Sequence, residues 1–338
     1  MLRIQDIAER CGVSRTTVSN VLHGKTKKVS IETIQKISAV LREEGYVPNE
    51  TPYVFAENVS KVIGVVLGFE VAHGYAALQD VFVSAFIAKI HECAQQTGYY
   101  VMLIDGIEID NVVNVASRWN VDGLILLGYN ELKYKALKKK INKHAVLVDA
   151  YPDGEYHFVN VGIDDFSGGN QIGEYLLNSG YPNALYVAET ESDADYYRWL
   201  GFKQAMESKG GFCSKSRYIV VPGEKNSRIR ALMKLLPKFL KAGAVAFSSD
   251  MDAIEAINLF VDNGIRIPEQ LSVTGFDDCM YSTIIRPRLT TVKQDIAGKS
   301  ALSFSLLLDL LSNKPLPKLD YKNPVSLIVR DSVKPNHL

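Results

Sequence analysis

From residue 62 onward, short apolar runs of strand length alternate with longer stretches of helical period, and this alternation restricts the chain more than any other feature. VIGVVLGF, YYVMLID, VDGLILLG and AVLVDA are near-continuous apolar runs, the pattern of strands buried on both faces, with a helical stretch between each pair. ALYVAE, YIVV, AVAFSSD and LSVTGF repeat the pattern, and the chain recrosses at LTTVKQD and again near Pro324. Parallel strands need helical crossovers, so the expected class is α/β, with doubly wound parallel sheets in two lobes and a cleft between them. A chain of 338 residues holds roughly two or three compact units, so this block leaves room for another.

Open α/β sheets collect ligand groups at the C-terminal ends of their strands. Asp149 ends AVLVDA, Ser249 and Asp250 end AVAFSSD, Asp277 and Asp278 end LSVTGFDD, and Arg198 opens the helix carrying Gly201 and Phe202. Carboxylates beside an Arg suit a hydroxyl-rich ligand through charge-assisted hydrogen bonds, so a sugar is the expected ligand. An Asp at a strand end also serves simply to cap the next helix, and for Asp149 and Asp250 both readings stand. Tyr196 is a candidate to stack on the ligand, although aromatics near a helix start, Tyr197 and Trp199 included, also serve as packing.

The first fifty residues read as three short helices around a small core. Ile4, Ile7, Ala8 and Cys11 form one apolar stripe that ends at Gly12. After the Gly12-Val13 turn, Ser14 caps a second helix with Val18, Val21 and Leu22 inward and Arg15, Thr16, Ser19, Asn20 and His23 outward. Ser30 caps a third, with Ile34, Ile37 and Leu41 buried and Gly45 as its stop. A polar second helix after a tight turn fits a recognition helix in the DNA major groove. Arg15 suits guanine O6/N7, Asn20 suits adenine N6/N7, and the Thr16 methyl suits a thymine methyl. Ser14, Thr17, Ser19, His23, Lys25, Lys27 and Lys28 suit phosphates, which give affinity and orientation without sequence readout. The blander reading of the same face is a solvated helix surface.

Charge supports the DNA reading through its distribution. Lys plus Arg equals Asp plus Glu at 38 each, yet residues 1–28 carry six basic groups against Asp6 and Glu9. Cys11, Cys93, Cys213 and Cys279 lie far apart with no C-x-x-C pair and read as reduced, structural thiols. No export signal and no membrane-length apolar run is evident, so a cytoplasmic protein is expected. P-loop, G-x-G-x-x-G, H-E-x-x-H and G-x-S-x-G patterns are missing. The Asp164-Asp165 and Asp277-Asp278 pairs have no further ligands to support a metal, and the six His residues are scattered, so neither enzyme activity nor a metal or cofactor is expected.

The segments IQDIAERCGVSRTTVSNVLHGK and VSIETIQKISAVLREEGYVPN resemble the DNA-binding headpiece of the LacI/GalR transcription regulators. The resemblance continues through VDGLILLG, AVLVDA, VGIDDFSGG, RWLGF, IPEQLSVTGFDD and RPRLTTVKQD, in the family's order and with similar spacing, and covers nearly the whole chain. It implies a helix-turn-helix headpiece over 1–48, a hinge over 49–61 and a periplasmic-binding-protein-like effector domain over 62–334. Lobe 1 is expected at about 62–159 and 294–322, and lobe 2 at about 160–293 and 323–334. It further implies a homodimeric, repressor-like regulator on a pseudo-palindromic operator, with a small-molecule effector between the lobes. Arg198 and Asp277 match effector contacts of the family, and Asp80 and Phe82 echo its signature after the first strand. Beside that signature, His73, Tyr75 and Phe82 could line the cleft, or the longer segment 68–83 could cover its rim.

Two departures stand out. Where relatives carry a basic hinge with a Leu for the minor groove, this chain reads ETPYVFAENVSK, with Phe55 in the Leu position and Glu50 and Glu57 for basic groups. Phe is also a competent wedge between base steps, whereas a plain linker is the alternative. Where relatives often have Asn before the Asp of AVAFSSD, this chain has Ser249. The rival reading of the whole is a two-lobed sugar receptor or sugar-processing enzyme without specific DNA readout.

Overall fold

The structure, a computed structural model, describes residues 3–22, 29–43, 59–68, 77–152, 154–208 and 213–334. The chain divides into two compact units, Met1–Val59 and Ser60–Leu338.

In the first unit, α1 (Ile4–Cys11) starts where the Asp6 carboxylate accepts from the Arg3 amide at 2.7 Å, and stops at Gly12, whose φ of 68° suits glycine. Helices α2 (Arg15–Leu22) and α3 (Ile31–Glu43) begin alike, with the Ser14 and Ser30 hydroxyls accepting from the amides three residues on, at 3.1 and 3.2 Å. Ile7, Ala8, Cys11, Val18 and Ile37 form the core, with Ile4, Val21, Leu22 and Leu41 against it. Gly45, the expected stop of α3, lies outside the described residues.

The second unit is built on two parallel sheets. The first runs β11-β5-β4-β3-β1-β2, from β1 (Val62–Leu67), β2 (Tyr100–Asp105), β3 (Gly123–Leu127), β4 (His144–Val148), β5 (Val159–Ile163) and β11 (Asp320–Asn323). Helices α4 (Val81–Thr97) and α12 (Ile296–Leu311) cover one face, and α5 (Ile109–Arg118) and α6 (Glu131–Lys140) the other, so two apolar clusters sandwich strands buried on both sides. The second sheet runs β7-β6-β8-β9, from β6 (Leu185–Ala188), β7 (Tyr218–Val220), β8 (Ala244–Phe247) and β9 (Ser272–Thr274). It packs between α7 (Asp165–Asn178) with α8 (Asp193–Glu207) and α9 (Lys225–Ala242) with α10 (Asp250–Asp262). The short helix α11 (Met280–Ile284) precedes β10 (Thr291–Gln294), which pairs antiparallel with β12 (Val325–Ile328).

Two expected boundaries shift. Residues 60 and 61, expected in the hinge, are anchored to the large unit: the Ser60 and Lys61 amides donate to the Asp122 carboxylate at 2.8 and 2.9 Å. The passage from lobe 1 to lobe 2, expected at about residue 159, falls after Ile163, because all of β5 pairs within the first sheet. Order reverses about β1 and β3 in the first sheet and about β6 and β8 in the second, which sets a crevice at those strand ends.

Candidate functional site

The first candidate site is the outer surface of α2. The Ser14 cap fixes where the helix begins, and Val18 turns into the core, so Arg15 and Thr16 are left exposed while Thr17, Ser19 and Asn20 are half-buried. Ser14 and Thr17 share a 2.9 Å hydroxyl contact, which ties two of the expected phosphate contacts to each other and to the helix start. A cap-fixed helix with an Arg and a Thr exposed in its first turn has what major-groove readout needs: a rigid rod with side chains that reach base edges. His23, Lys25, Lys27 and Lys28 of the expected backbone contacts, and Phe55 of the hinge, lie outside the described residues, as do His73 and Tyr75.

The second candidate site is the crevice of the large unit. Among the described residues, a cavity of about 190 Å³ is lined by Asp80 and Phe82 from one lobe and by Glu189, Ser248, Ser249, Asp252 and Asp277 from the other. A neighbouring cavity of about 370 Å³ is lined by Phe82, Tyr129, Asn130, Asp149 and Tyr151 together with Asp193 and Ala194. Phe82 therefore belongs to both, and its ring tilts on Phe86 at 6.0 Å. The Asp80 carboxylate is held by the Val83 amide at 2.9 Å as the cap of α4.

Arg198 and Asp277, both of lobe 2, come together beside the smaller cavity, which Asp277 lines. The guanidinium stacks on the Phe276 ring at 3.7 Å, donates from Nε to Asp165 at 2.7 Å and from Nη1 to the Ser248 carbonyl at 2.7 Å, and leaves Nη2 4.0 Å from Asp277. Asp277 also accepts from Gln294 Nε2 at 2.6 Å. Burial lifts the Asp277 carboxyl to about 6 against the pull of Arg198. Asp165 is raised by burial too, although Arg198 and the Tyr151 hydroxyl, 2.5 Å away, favour its charge. Tyr151 follows β4 and Asp165 opens α7, so this bond joins the lobes, and the Tyr151 ring stacks on Tyr197 at 5.2 Å.

The approach of α7 to α8 is what brings Arg198 to Asp165. A Cβ on Gly169 would sit 1.8 Å from the Arg198 carbonyl oxygen, and one on Gly201 would sit 1.9 Å from that of Phe166. Only glycine at these two places lets the backbones touch.

Asp149 lines the larger cavity, with φ at 52°, and accepts from Lys299 Nζ at 2.7 Å. Lys299, on α12, is 1% exposed and lies 4.5 Å from the centre of the Phe82 ring. Lys299 is not among the expected site residues, although a single basic residue in the apolar stretch IAGKSALSFSLLLDLL is a signal. Nor is Asp165, which stands in the sequence only as half of an Asp pair.

Two expected effector contacts, Asp250 and Tyr196, require correction, and a third, Ser249, has a second role. Asp250 is fully buried: its oxygens accept from Thr291 Oγ1 at 2.5 Å and the Cys279 amide at 2.8 Å, so it clamps the chain around Asp277 and does not face the cavity. Burial, then the Asp277 charge, pushes its carboxyl well above the usual range. Tyr196 is 41% exposed and is not part of either cavity wall. Two residues along a helix are a turn of roughly 200°, so a helix that turns Arg198 inward to Asp165 and Phe276 turns Tyr196 away from them. Ser249 does line the smaller cavity, but its hydroxyl caps α10, donating to Asp252 Oδ2 at 2.9 Å and accepting from the Asp252 amide at 3.2 Å.

With this geometry in place, the relatives of the chain are informative. Residues 3–49 match the model of bacterial regulatory proteins of the lacI family, and residues 174–333 match the periplasmic binding protein-like domain. The chain is 26% identical over 342 residues to the HTH-type transcriptional regulator GalR of Escherichia coli (strain K12), covering 98% of this chain and 96% of that one. It is 26% identical over 341 residues to the HTH-type transcriptional repressor PurR of Pasteurella multocida (strain Pm70), covering 99% of each. Among solved structures, the lac repressor dimer bound to operator and the anti-inducer ONPF superposes with a TM-score of 0.82 at 24% identity, over 98% of this chain and 99% of that one. The complex of the transcriptional regulator CelR with cellobiose gives 0.72 at 22% identity, over 98% and 100%. The lacI-family match over residues 3–49, the two lobes of parallel sheet in the second unit and end-to-end similarity to GalR and PurR identify this chain as a member of the LacI/GalR family of bacterial transcription regulators.

Proposed function

We propose that this protein is a sequence-specific DNA-binding transcription regulator of repressor type, a homodimer on a pseudo-palindromic operator, whose DNA affinity changes when a small molecule occupies the crevice. The observation that carries the DNA half is α2, a cap-fixed helix with Arg15 and Thr16 exposed in its first turn. Arg15, Thr16 and Asn20 read bases; Ser14, Thr17, Ser19, His23, Lys25, Lys27 and Lys28 hold phosphates; Phe55 acts in the minor groove. In the crevice Arg198, Asp277, Asp149 and Phe82 meet the effector, with Ser249 at its edge. The solved relatives include complexes with cellobiose and ribose, and a sugar is the ligand that hydrogen-bonding carboxylates beside an Arg suit. The role is regulation and not catalysis, and its place is the cytoplasm, where the DNA is; no helix among the described residues is long and apolar enough to cross a membrane.

Thermal unfolding of the full chain against ribose, cellobiose, sugar phosphates, nucleobases and amino acids tests the ligand half. A ligand at 100 times its Kd adds about 2.7 kcal/mol to stability. The expected result is a stabilising sugar whose effect Asp277→Ala removes. A stabilising sugar unaffected by that change would place the ligand elsewhere.

A further inference from the structure

Lys299 is not among the groups proposed to meet the effector, yet its ammonium is enclosed and shared between two that are. It donates to Asp149 Oδ2 at 2.7 Å and lies 4.5 Å from the Phe82 ring centre, and both residues line the 370 Å³ cavity. Its side chain is 1% exposed while that of Asp149 is 26% exposed, so the Lys sits behind the wall that Asp149 and Phe82 present. Asp149 Oδ1 is buried without a hydrogen-bond partner, so the acceptor this wall can present is Oδ2, the oxygen that already holds the ammonium. A buried ammonium is tolerated only beside an anion or a ring face, and here it has one of each.

We propose that Lys299 is a positioning residue of the crevice: by tethering Asp149 and Phe82, it makes this wall an acceptor edge beside a ring face. A ligand group meeting that wall is then a hydrogen-bond donor, such as a sugar hydroxyl, and not an anion. The inference about the ligand rests on the crevice being the effector site, whereas the coupling of Lys299 to Asp149 can be read without any ligand.

Other charged or titratable groups act on this pair. Asp277 feels the Lys299 charge from lobe 2, Asp165 and Tyr151 feel that of Asp149, Arg198 bridges Asp165 and Asp277, and Asp295 caps α12. Single and double variants separate the pair from these neighbours. Lys299→Met keeps most of the side-chain volume and removes the charge. Asp149 then loses its cation, and a buried pair broken on one side is expected to destabilise the fold. Asp149→Asn leaves the buried ammonium without its anion and is expected to destabilise in the same way. The double variant removes both charges together and is expected to cost less than the two single losses added.

Urea unfolding of the four full-length proteins at pH 7 is the test. Single-variant losses that together exceed the loss in the double variant are expected; losses that simply add would overturn the proposal. Ribose and cellobiose are then titrated at pH 8. Where one stabilises the wild type, Lys299→Met is expected to weaken it roughly tenfold or more, the value of a lost charge-assisted hydrogen bond. Unchanged affinity would overturn the positioning role. If neither sugar acts on the wild type, the choice of ligand fails while the unfolding comparison still decides whether Lys299 controls Asp149.

Discussion

Arg198 is the residue on which the crevice turns, because its guanidinium reaches a carboxylate, a carbonyl and a ring face at once. Removing it strands Asp165 in the interior with Tyr151 as its remaining hydrogen-bond donor, and a broken buried pair costs about 3–5 kcal/mol. Arg198→Met is therefore expected to lower unfolding free energy by that order in urea titration; a loss below about 1 kcal/mol would show the pair to be dispensable. Asp277 makes a pH prediction. Its carboxyl is raised to about 6, so the favourable protonated form is present below about pH 4 and is lost as pH rises through 6. The wild type should lose stability between pH 4 and 7 from this group, and Asp277→Asn should flatten that slope in thermal unfolding. Arg198 and Asp277 stood out as candidates through their strand-end and helix-start positions and their match to the family's effector contacts. Lys299 and the clamping role of Asp250 did not. The Asp149 partner of Lys299 is 150 positions away, and Asp250 ends its strand just as Asp277 does, so only packing tells a clamp from a contact.

Elements supply the precision that side chains then use. The contact of α7 with α8 runs through Gly169 and Gly201, and a Cβ at either would lie within 2 Å of a carbonyl oxygen of the other helix. Gly201→Ala must part the helices and move Arg198 away from Asp165. Destabilisation of about 1–3 kcal/mol is expected, together with a weakened effector response; a neutral effect in both would contradict this account of the contact. In the headpiece, Ser14→Ala removes the cap of α2 and should lower headpiece stability by about 1 kcal/mol, measured by local amide exchange on α2. The caps were legible in advance, since Ser14 and Ser30 each stand before a helical period. Strand β11 was not: DYKN is polar, as an edge strand can afford to be, and carries no hydrophobic signature. Strand β5 (VNVGI) is likewise absent from the expected strands, and with both unread the expected passage between lobes falls too early.

At the scale of the molecule, the account is one of linkage between two units of one chain. An effector that favours one relation of the lobes need supply only about 1–3 kcal/mol of coupling to change operator affinity 5- to 150-fold, and by the same linkage operator DNA must change effector affinity by the same factor. Sequence pattern foretold both the helical unit and the two-lobed one, because their periods, near 3.6 for the first and strand–helix alternation for the second, are distinct and long. The direction of the response is not encoded in any such pattern, since it depends on which lobe geometry the ligand prefers.

The central claim, direct reading of a DNA sequence by α2, is tested most directly by selecting duplexes from a random library with the full-length protein, in parallel with Arg15→Ala, at fixed salt. The account predicts a pseudo-palindromic consensus for the wild type and, for Arg15→Ala, loss of preference at one base position in each half-site worth about 1–3 kcal/mol. A library retained without enrichment, or a variant that weakens every sequence equally, would contradict it.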